Sequence, residues 1–241
     1  MRNVAIVIAA GQDTIGSENI PKPFVNVFDK PVLVYTLEVF ESNPQIDFVE
    51  LVCLEGWSEI AKAYAKQFNI SKLKDVIIGG KTVQESIYNG LRALEGELDR
   101  DDIVIIHDGI RPMIETAVLT DVIKVASEKG NGISSMPNNE QVFVVNCENP
   151  EVTNQFIPRE TIRRVTTPQA YRYGELLGVY KIGFEKQIGI YGPTYADTLY
   201  VDLGKELFFA AGSNKNIKIN SEEEIHIFEA YLNRDRDYFF K

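Results

Sequence analysis

Short apolar runs alternate with stretches of helical periodicity along the first half of the chain. The strand-like runs fall at residues 4–9, 48–54, 75–78 and 102–106. Between them, the spacing of apolar positions predicts helices over about 31–42, 57–68 and 82–95. Because strands that alternate with helices are typical of βαβ units, the pattern predicts a parallel sheet covered by helices.

The second half of the chain has a more varied pattern. Helices are predicted over about 115–129 and 173–186. Further strands are predicted at 132–136, 141–146 and 206–210. A tyrosine-rich segment, 191–202, precedes the last of these strands. A final helix is predicted to start at Ser221, because Ser221 and Glu224 have the spacing of a capping box.

Residues 138–160 are predicted to leave the sheet as an arm. Val142 and Val144 alternate with other residues in the manner of a strand, and the Asn149-Pro150 pair marks a turn. Since an exposed β-arm often meets another subunit, we predict a homodimer formed through it. Taken together, the elements predict the α/β class, with a single Rossmann-like domain over residues 1–241, a mostly parallel twisted sheet and a protruding β-arm.

The charge balance and the cysteines limit the partners and the compartment. The chain carries 25 Lys and Arg against 35 Asp and Glu, a formal net charge of −10, which argues against nucleic acid or an anionic membrane as the main partner. Cys53 and Cys147 lie far apart without metal-ligand spacing, so we expect packing cysteines in a reducing cytoplasm. The apolar run at the amino terminus is too short to span a membrane, and no export or anchoring signal is expected.

A buried strand leads directly into a charged loop at Asp108 and Arg111. Four consecutive apolar residues, 103–106, indicate a strand buried on both faces, and ligands of open α/β sheets bind beyond the carboxyl ends of such strands. An aspartate there can hold a divalent metal, and an arginine can grip a phosphate. The alternative is an aspartate that caps the next helix, with Arg111 on a solvated face. For His107 we predict a structural hydrogen bond rather than acid/base chemistry.

The first βα turn contains Gly11 and ends at Pro21-Lys22. A glycine allows the backbone to approach a ligand closely, and a lysine at the far end of the loop can supply charge to a triphosphate. The loop is neither a Walker loop nor a dinucleotide fingerprint, because the required glycine spacings are absent. A plain connection with an exposed Lys22 is the alternative.

Five motifs occur together in one order along the chain. They are the Ala9-Ala10-Gly11 turn with Pro21-Lys22, Gly79-Gly80 followed by Ser86 to Leu91, His107-Asp108 with Arg111-Pro112, Thr167-Pro168-Gln169, and Asn216 to Ile219. In this order and spacing, the chain resembles the cytidylyltransferases that make CDP-alcohols from CTP and a polyol phosphate. That family includes the methylerythritol-phosphate and the ribitol-5-phosphate cytidylyltransferases. The resemblance extends from about Val4 to Leu232.

The resemblance implies a role for each matching residue. Asp108 would hold Mg²⁺ between the phosphates, while Lys22 and Lys218 would stabilise charge on the reacting phosphates. The residues on the nucleotide side would be Ala9, Ala10, Gly11, Gly79, Gly80 and Ser86. Those on the side of the acceptor's phosphate would be Arg111, Arg159 and Asp197. Three cations and a metal suit an in-line attack of one phosphate on another, since two anions must approach each other and negative charge builds up.

The chain departs from the family pattern at three places. The first loop has no arginine before Lys22 and carries Asp13 instead, Val83 stands where the family has an arginine, and Ala196 replaces the threonine before Asp197. We predict a Mg²⁺-dependent cytidylyltransferase with a ribitol-5-phosphate-like acceptor. The alternative acceptor is methylerythritol phosphate. An alternative of another class, motivated by the missing arginines, is a weakly active homologue that binds a phosphorylated ligand or a partner.

Overall fold

A computed structural model describes residues 1–16, 19–192 and 194–239. Within them, a seven-stranded sheet is accompanied by two pairs of short strands. The strands are β1 (Asn3–Ala9), β2 (Asn26–Val27), β3 (Lys30–Pro31), β4 (Phe48–Cys53), β5 (Leu73–Ile78), β6 (Ile103–Asp108), β7 (Asn131–Pro137), β8 (Val142–Phe143), β9 (Phe156–Ile157), β10 (Arg163–Arg172) and β11 (Phe209–Ala211).

The large sheet has the order β11-β7-β10-β6-β1-β4-β5. Its neighbouring strands are parallel, except that β10 is antiparallel to both β6 and β7. The chain moves outward from β1 to β4 and β5 and then returns to place β6 on the other side of β1. At such a reversal of strand order, the loops beyond the carboxyl ends diverge and leave a crevice for a ligand.

Helices cover both faces of this sheet. They are α1 (Val32–Ser42), α2 (Ser58–Gln67), α3 (Val83–Ala93), α4 (Thr116–Lys129), α5 (Tyr173–Lys186), α6 (Ala196–Asp202) and α7 (Glu222–Phe239). Alternate residues of β1 point to opposite faces: Val7 packs in a core with Leu37 of α1, and Ile6 packs in a second core with Leu91 of α3. No helix in the described part of the chain is long and apolar enough to cross a membrane.

Helix α3 begins where the sequence supplies a capping residue. Thr82 precedes the helix in an extended conformation, and its side chain accepts a hydrogen bond from the Glu85 amide at 3.1 Å. Such a cap is worth about 1 kcal/mol, because it satisfies an amide that has no partner within the helix. The cap fixes the first turn of α3 beside the Gly79-Gly80 loop.

The structure confirms the α/β class and most predicted elements. Strands β1, β4, β5, β6 and β7 and the helices α1 to α5 lie where the apolar pattern placed them. The final helix begins at Glu222, and the Glu224 carboxylate accepts a hydrogen bond from the Ser221 amide at 2.8 Å.

The second half differs from the sequence-based expectations at four places. The tyrosine-rich segment contains the helix α6, and the strand predicted at 206–210 is β11, three residues long and shifted to Phe209–Ala211. The strand predicted at 141–146 is reduced to β8, which pairs only with β9 inside the arm. The ten-residue strand β10, which follows the arm, was not predicted at all.

Candidate active site

A cleft of about 420 Å³ opens beyond the carboxyl ends of β1 and β6. Its lining combines apolar residues with two lysines and two aspartates. The lining residues are Ile8, Ala9, Gly11, Asp13, Lys22, Pro23, Val83, Asp108, Ile110, Tyr195, Lys218 and Asn220. The cleft therefore lies in the crevice that the reversal of strand order creates, and it brings together Lys22, Asp108 and Lys218, the three residues predicted for catalysis.

Asp108 is the last residue of β6, and its carboxylate pairs with two basic side chains. Arg111 Nε donates a hydrogen bond to Asp108 Oδ2 at 2.9 Å, and Lys218 Nζ lies 3.3 Å from the same oxygen. Burial alone would raise the pKa of the Asp108 carboxyl, but the charges of Lys218 and Arg111 outweigh it, and the pKa is lowered. The carboxylate is therefore ionised near neutral pH and stays paired with the side chains of Arg111 and Lys218.

Arg111 is fixed by more than its ion pair. Its Nη1 donates to the carbonyl of Asn216 at 2.8 Å, so the segment that carries Lys218 is attached to the loop after β6. Asn216 is itself buried, and its side-chain amide donates to the Thr167 carbonyl at 2.6 Å. The hydroxyl of Thr167 in turn accepts a hydrogen bond from the Asp108 amide at 3.1 Å. The charged group thus has a hydrogen-bonded support contributed by three segments.

His107 has the structural role that the sequence predicted. Its Nε2 lies 3.0 Å from the carbonyl of Arg111, and this carbonyl can only accept, so Nε2 carries the proton. The other ring nitrogen has no hydrogen-bond partner in the described residues. Burial lowers the pKa of His107 to about 4, which keeps the ring neutral near pH 7. His107 holds the loop of Arg111 and has no partner for proton transfer.

The first loop is closed at its base. The Lys22 amide donates to the carbonyl of Asp13 at 3.0 Å, and Lys22 Nζ lies 3.4 Å from Asp13 Oδ2. The lysine side chain is 14% exposed and the aspartate side chain 84% exposed. Lys22 is therefore held inside the cleft wall, and its amino group faces an acidic partner that a ligand can replace. Ser17 and Glu18 of this loop lie outside the described residues.

A second depression, of about 340 Å³, lies on the other side of the first turn. Its lining includes Ala10, Gly79 and Gly80, three of the residues predicted for the nucleotide side. A Cβ atom on Gly79 would lie 2.3 Å from the Ala10 Cβ, so the two loops can approach this closely only with glycine there. Ala9 and Gly11 line the main cleft, whereas Ala10 lines the second depression, so consecutive residues of the turn border different depressions.

Ser86 is buried and its hydroxyl is already engaged. Ser86 Oγ accepts a hydrogen bond from the Gly80 amide at 3.0 Å and donates to the Thr82 carbonyl at 2.9 Å. In this arrangement Ser86 shapes the Gly79-Gly80 loop. Its predicted place beside the cytosine and ribose stays a prediction.

Arg159 and Asp197 do not line the main cleft. Arg159 lies in a 3₁₀ turn at the base of the arm, where its Nε is 3.3 Å from Glu160 Oε1, and it borders a separate depression with Arg163. Asp197 Oδ2 accepts a hydrogen bond from Gln169 Nε2 at 3.0 Å, and burial raises the pKa of its carboxyl. Within one chain, Arg159 thus borders a different depression from Asp108, whereas Asp197 lies near enough to Asp108 for the charge of Asp108 to contribute to its raised pKa.

Tyr195 and Asn220 line the cleft but were absent from the predicted site. Asn220 follows Lys218 by two residues, so the alternation of an extended chain could have indicated it. Tyr195 precedes α6, and its ring centroid lies 5.8 Å from Lys218 Nζ. Its position depends on a short helix that the sequence pattern did not reveal.

The fit of Mg²⁺ depends on the few carboxylates of the cleft. The described residues contain no group of three or more His, Cys, Asp or Glu side chains that could hold a metal ion. Mg²⁺ is usually bound by one or two carboxylates together with waters and substrate phosphates, and the ionised Asp108 offers one such carboxylate. The residues therefore fit a metal that arrives with the phosphates, and they do not form a cage for a resident ion.

Comparison with known proteins gives a consistent family and fold. Residues 3–234 match the family model described as 2-C-methyl-D-erythritol 4-phosphate cytidylyltransferase. A ribitol-5-phosphate cytidylyltransferase of Lacticaseibacillus paracasei is 46% identical over 228 residues, which cover 95% of this chain and 97% of that protein. A 2-C-methyl-D-erythritol 4-phosphate cytidylyltransferase of Geotalea uraniireducens is 34% identical over 233 residues, or 96% and 97% of the two chains.

A solved structure confirms the fold. The 4-diphosphocytidyl-2C-methyl-D-erythritol synthase of Anaerococcus prevotii superimposes with a TM-score of 0.81 over 96% of each chain, at 22% sequence identity. At this level of identity the likeness concerns the architecture alone.

Proposed function

The chain belongs to the 2-C-methyl-D-erythritol 4-phosphate cytidylyltransferase family, and on that premise we propose that it transfers the cytidylyl group of CTP to ribitol 5-phosphate. The products are CDP-ribitol and pyrophosphate. The observation that carries the proposal is the cleft lined by Lys22, Asp108 and Lys218, in which Asp108 is paired with Lys218 and also with Arg111, which does not itself line the cleft.

The reaction joins two anions. An oxygen of the acceptor's phosphate forms a bond to the α-phosphorus of CTP, the bond from that phosphorus to the bridging oxygen breaks, and pyrophosphate leaves with the bonding electron pair. The attacking oxygen is already ionised near neutral pH, so the chain needs no general base. This is consistent with a neutral His107 that is committed to a backbone carbonyl.

The cations of the cleft match the charge that the reaction develops. Lys22 at the base of the first loop would stabilise the triphosphate, and Lys218 would stabilise the reacting phosphates. Because Asp108 fixes Lys218 and Arg111 before any ligand arrives, these donors need little rearrangement during the reaction. Mg²⁺, bound by Asp108 and the phosphates, would neutralise further negative charge on the triphosphate.

The acceptor assignment is supported by the relatives. A relative that is 46% identical bears the ribitol-5-phosphate name, and one that is 34% identical bears the methylerythritol-phosphate name. Methylerythritol phosphate is therefore the second candidate acceptor, and it would be used in the same cleft by the same chemistry.

We also propose a cytoplasmic homodimer formed through the arm. Its supports are the large apolar side chains that the arm exposes, Phe143, Val145 and Phe156, and the position of Arg159 at its base. In such a dimer Arg159 would reach the acceptor's phosphate in the neighbouring chain's cleft. The separation of Arg159 from Arg111 within one chain is compatible with that arrangement.

The test is a matrix of CTP, UTP, ATP and GTP against ribitol 5-phosphate, methylerythritol phosphate and glycerol phosphate, with pyrophosphate release as the readout. We expect turnover with CTP and ribitol 5-phosphate. Faster turnover with methylerythritol phosphate would shift the assignment to the second acceptor. If no pair reacts and calorimetry with millimolar nucleotide and Mg²⁺ detects no binding, the protein is not a nucleotidyltransferase.

A further inference from the structure

Gln84 is a buried side chain whose amide reaches across to another part of the site. It is the second residue of α3 and only 1% exposed. Its Nε2 donates to the carbonyls of Gly189 at 2.8 Å and Tyr195 at 3.0 Å, and its Oε1 accepts from the Tyr180 hydroxyl at 2.6 Å. Both amide protons and the amide oxygen are therefore used.

The two carbonyls lie at the ends of one loop. This loop, 189–195, leads into α6 and contains Gly189 and Gly192, whose φ angles of 63° and 79° turn the chain. Within this loop the side chain of Ile190 is buried, whereas Tyr191 is 69% exposed and adds little packing. Thr198 holds the Tyr195 backbone from the side of α6, and the Gln84 amide ties the same residue to Gly189 at the other end of the loop.

Tyr195 contributes its ring to the same wall as Lys218. Tyr195 is 41% exposed and lines the main cleft, and its ring centroid lies 5.8 Å from Lys218 Nζ. The cation and the ring face attract each other, and this attraction depends on the position of the ring. The geometry of the Tyr195 backbone therefore affects the lysine that is expected to contact the reacting phosphates.

Ser86, on another side of α3, holds the Gly79-Gly80 loop independently of Gln84. Ser86 follows Gln84 by two residues, so their side chains leave the helix in different directions. Ser86 holds Gly80, whereas Gln84 holds the loop 189–195. A loss at Gln84 should therefore leave the Gly79-Gly80 loop in place.

We infer that Gln84 is a positioning residue, which holds Tyr195 beside Lys218 in the part of the chain that leads to Asp197, a residue expected on the side of the acceptor's phosphate. This role rests on the proposed function, because it is expressed in the affinity for the acceptor. Gln84 itself contacts no reacting atom.

The first test compares Gln84→Met with the wild type. Methionine has a similar volume but cannot donate, so the Gly189 carbonyl loses the Gln84 contact and the Tyr195 carbonyl keeps only the Thr198 hydroxyl and the Leu199 amide as donors. We expect KM for the acceptor to rise on the order of tenfold, with KM for CTP within about twofold of the wild type. Tyr180→Phe is the matched control, since it removes one buried hydrogen bond of the same cluster and retains both carbonyl contacts. Its KM for the acceptor should change by less than about threefold.

A double-mutant cycle asks whether the effect passes through Tyr195. In a Tyr195→Ala background, Gln84→Met should add less than about twofold to KM for the acceptor, because there is no ring left to misplace. Additive effects would overturn the inference, as would an equal rise in both KM values.

Gln84→Glu keeps the inference testable if the methionine variant does not fold. A protonated glutamic acid can donate one hydrogen bond to a carbonyl, whereas the carboxylate would face two carbonyl oxygens. KM for the acceptor should therefore rise with pH more steeply than in the wild type, and a parallel profile would overturn the inference. Absence of turnover in the wild type with every substrate pair would overturn the proposed function and this role with it.

Discussion

Lys22 and Asp13 form an ion pair across the base of the first loop, with Lys22 Nζ 3.4 Å from Asp13 Oδ2. The amide of Lys22 is also bound to the carbonyl of Asp13, so the backbone holds the two residues together even when the ion pair opens. A triphosphate that approaches Lys22 must compete with this carboxylate. The ion pair with Asp13 therefore opposes the binding of a triphosphate at Lys22.

We predict that Asp13→Asn tightens CTP binding, because the amide no longer competes for Lys22 or repels the phosphates. Exposed ion pairs are weak, so the gain should stay below about tenfold in the dissociation constant. Lys22→Ala should have the opposite effect and abolish transfer. Calorimetry at two salt concentrations measures both variants. Weaker binding in Asp13→Asn would mean that Asp13 helps to hold the metal-bound nucleotide.

We predict that Asp108→Asn lowers metal-dependent turnover at least on the order of 100-fold while the protein stays folded, because an amide is a poor ligand for Mg²⁺ and pairs weakly with Lys218 and Arg111. Steady-state kinetics over a range of Mg²⁺ concentrations and thermal unfolding provide the measurement. Asp101→Asn is the control, since this exposed residue precedes the opposite end of β6. Near-normal activity of Asp108→Asn with Mg²⁺ would exclude Asp108 as the metal ligand.

We predict that Arg111→Ala and Arg159→Ala each raise KM for the acceptor, because one charge-assisted phosphate contact contributes on the order of 2 kcal/mol. If the cleft is completed by the partner's arm, a mixed dimer of the two variants contains one intact site. Such dimers should recover about half of the wild-type activity. Purified mixed dimers that remain inactive would show that each site is built from a single chain.

We predict that Glu50→Gln stabilises the protein at pH 8. Glu50 is buried on β4 between Ile6 and Asp75 of the adjacent strands, and burial, with the charge of Asp75, raises its pKa to about 8. Because the folded state binds this proton more tightly than the unfolded state, stability contributed by the protonated group is complete below about pH 4.5 and is lost as the pH rises through about 8.

The difference in the free energy of unfolding between wild type and Glu50→Gln should therefore widen as the pH rises from about 4.5 to about 8. It should reach on the order of a few kcal/mol at the upper end. Urea unfolding at pH 6 and pH 8 measures it. Lys74, on the neighbouring strand, lowers the Glu50 pKa, so Lys74→Met should increase the pH dependence. A wild-type stability that is constant between the two pH values would contradict the prediction.

The charged loop after β6 could be predicted because the strand begins with an uninterrupted apolar run, residues 103–106. Residues 103–106 are all buried, and this leaves one location for Asp108, at the edge of the sheet. Lys22 could be predicted for a similar reason, since β1 ends at Ala9 and the loop that follows contains no other cation.

Strand β10 was missed because its buried positions include polar residues. Gln169 is 4% exposed, but its amide is bound by Asp197 and the Tyr171 hydroxyl, so it adds no apolar signal to the pattern. Helix α6 is seven residues long, too short for a helical period to emerge from the sequence. With the proposed dimer, the place of Arg159 relative to a cleft would depend on a second chain, which no pattern within one chain can specify.

Strand β10 links the arm to the candidate active site through an irregular stretch between Val165 and Gln169. It starts just after the turn that contains Arg159, extends for ten residues, about 30 Å, and lies against β6, which ends at Asp108. Halfway along it, the hydroxyl of Thr167 holds the Asp108 amide. A displacement of the arm would therefore reach the backbone of Asp108 through this stretch of β10. With the proposed dimer, catalytic competence would depend on protein concentration, and a chain diluted to a monomer would lose rigidity at Asp108 before it loses its fold.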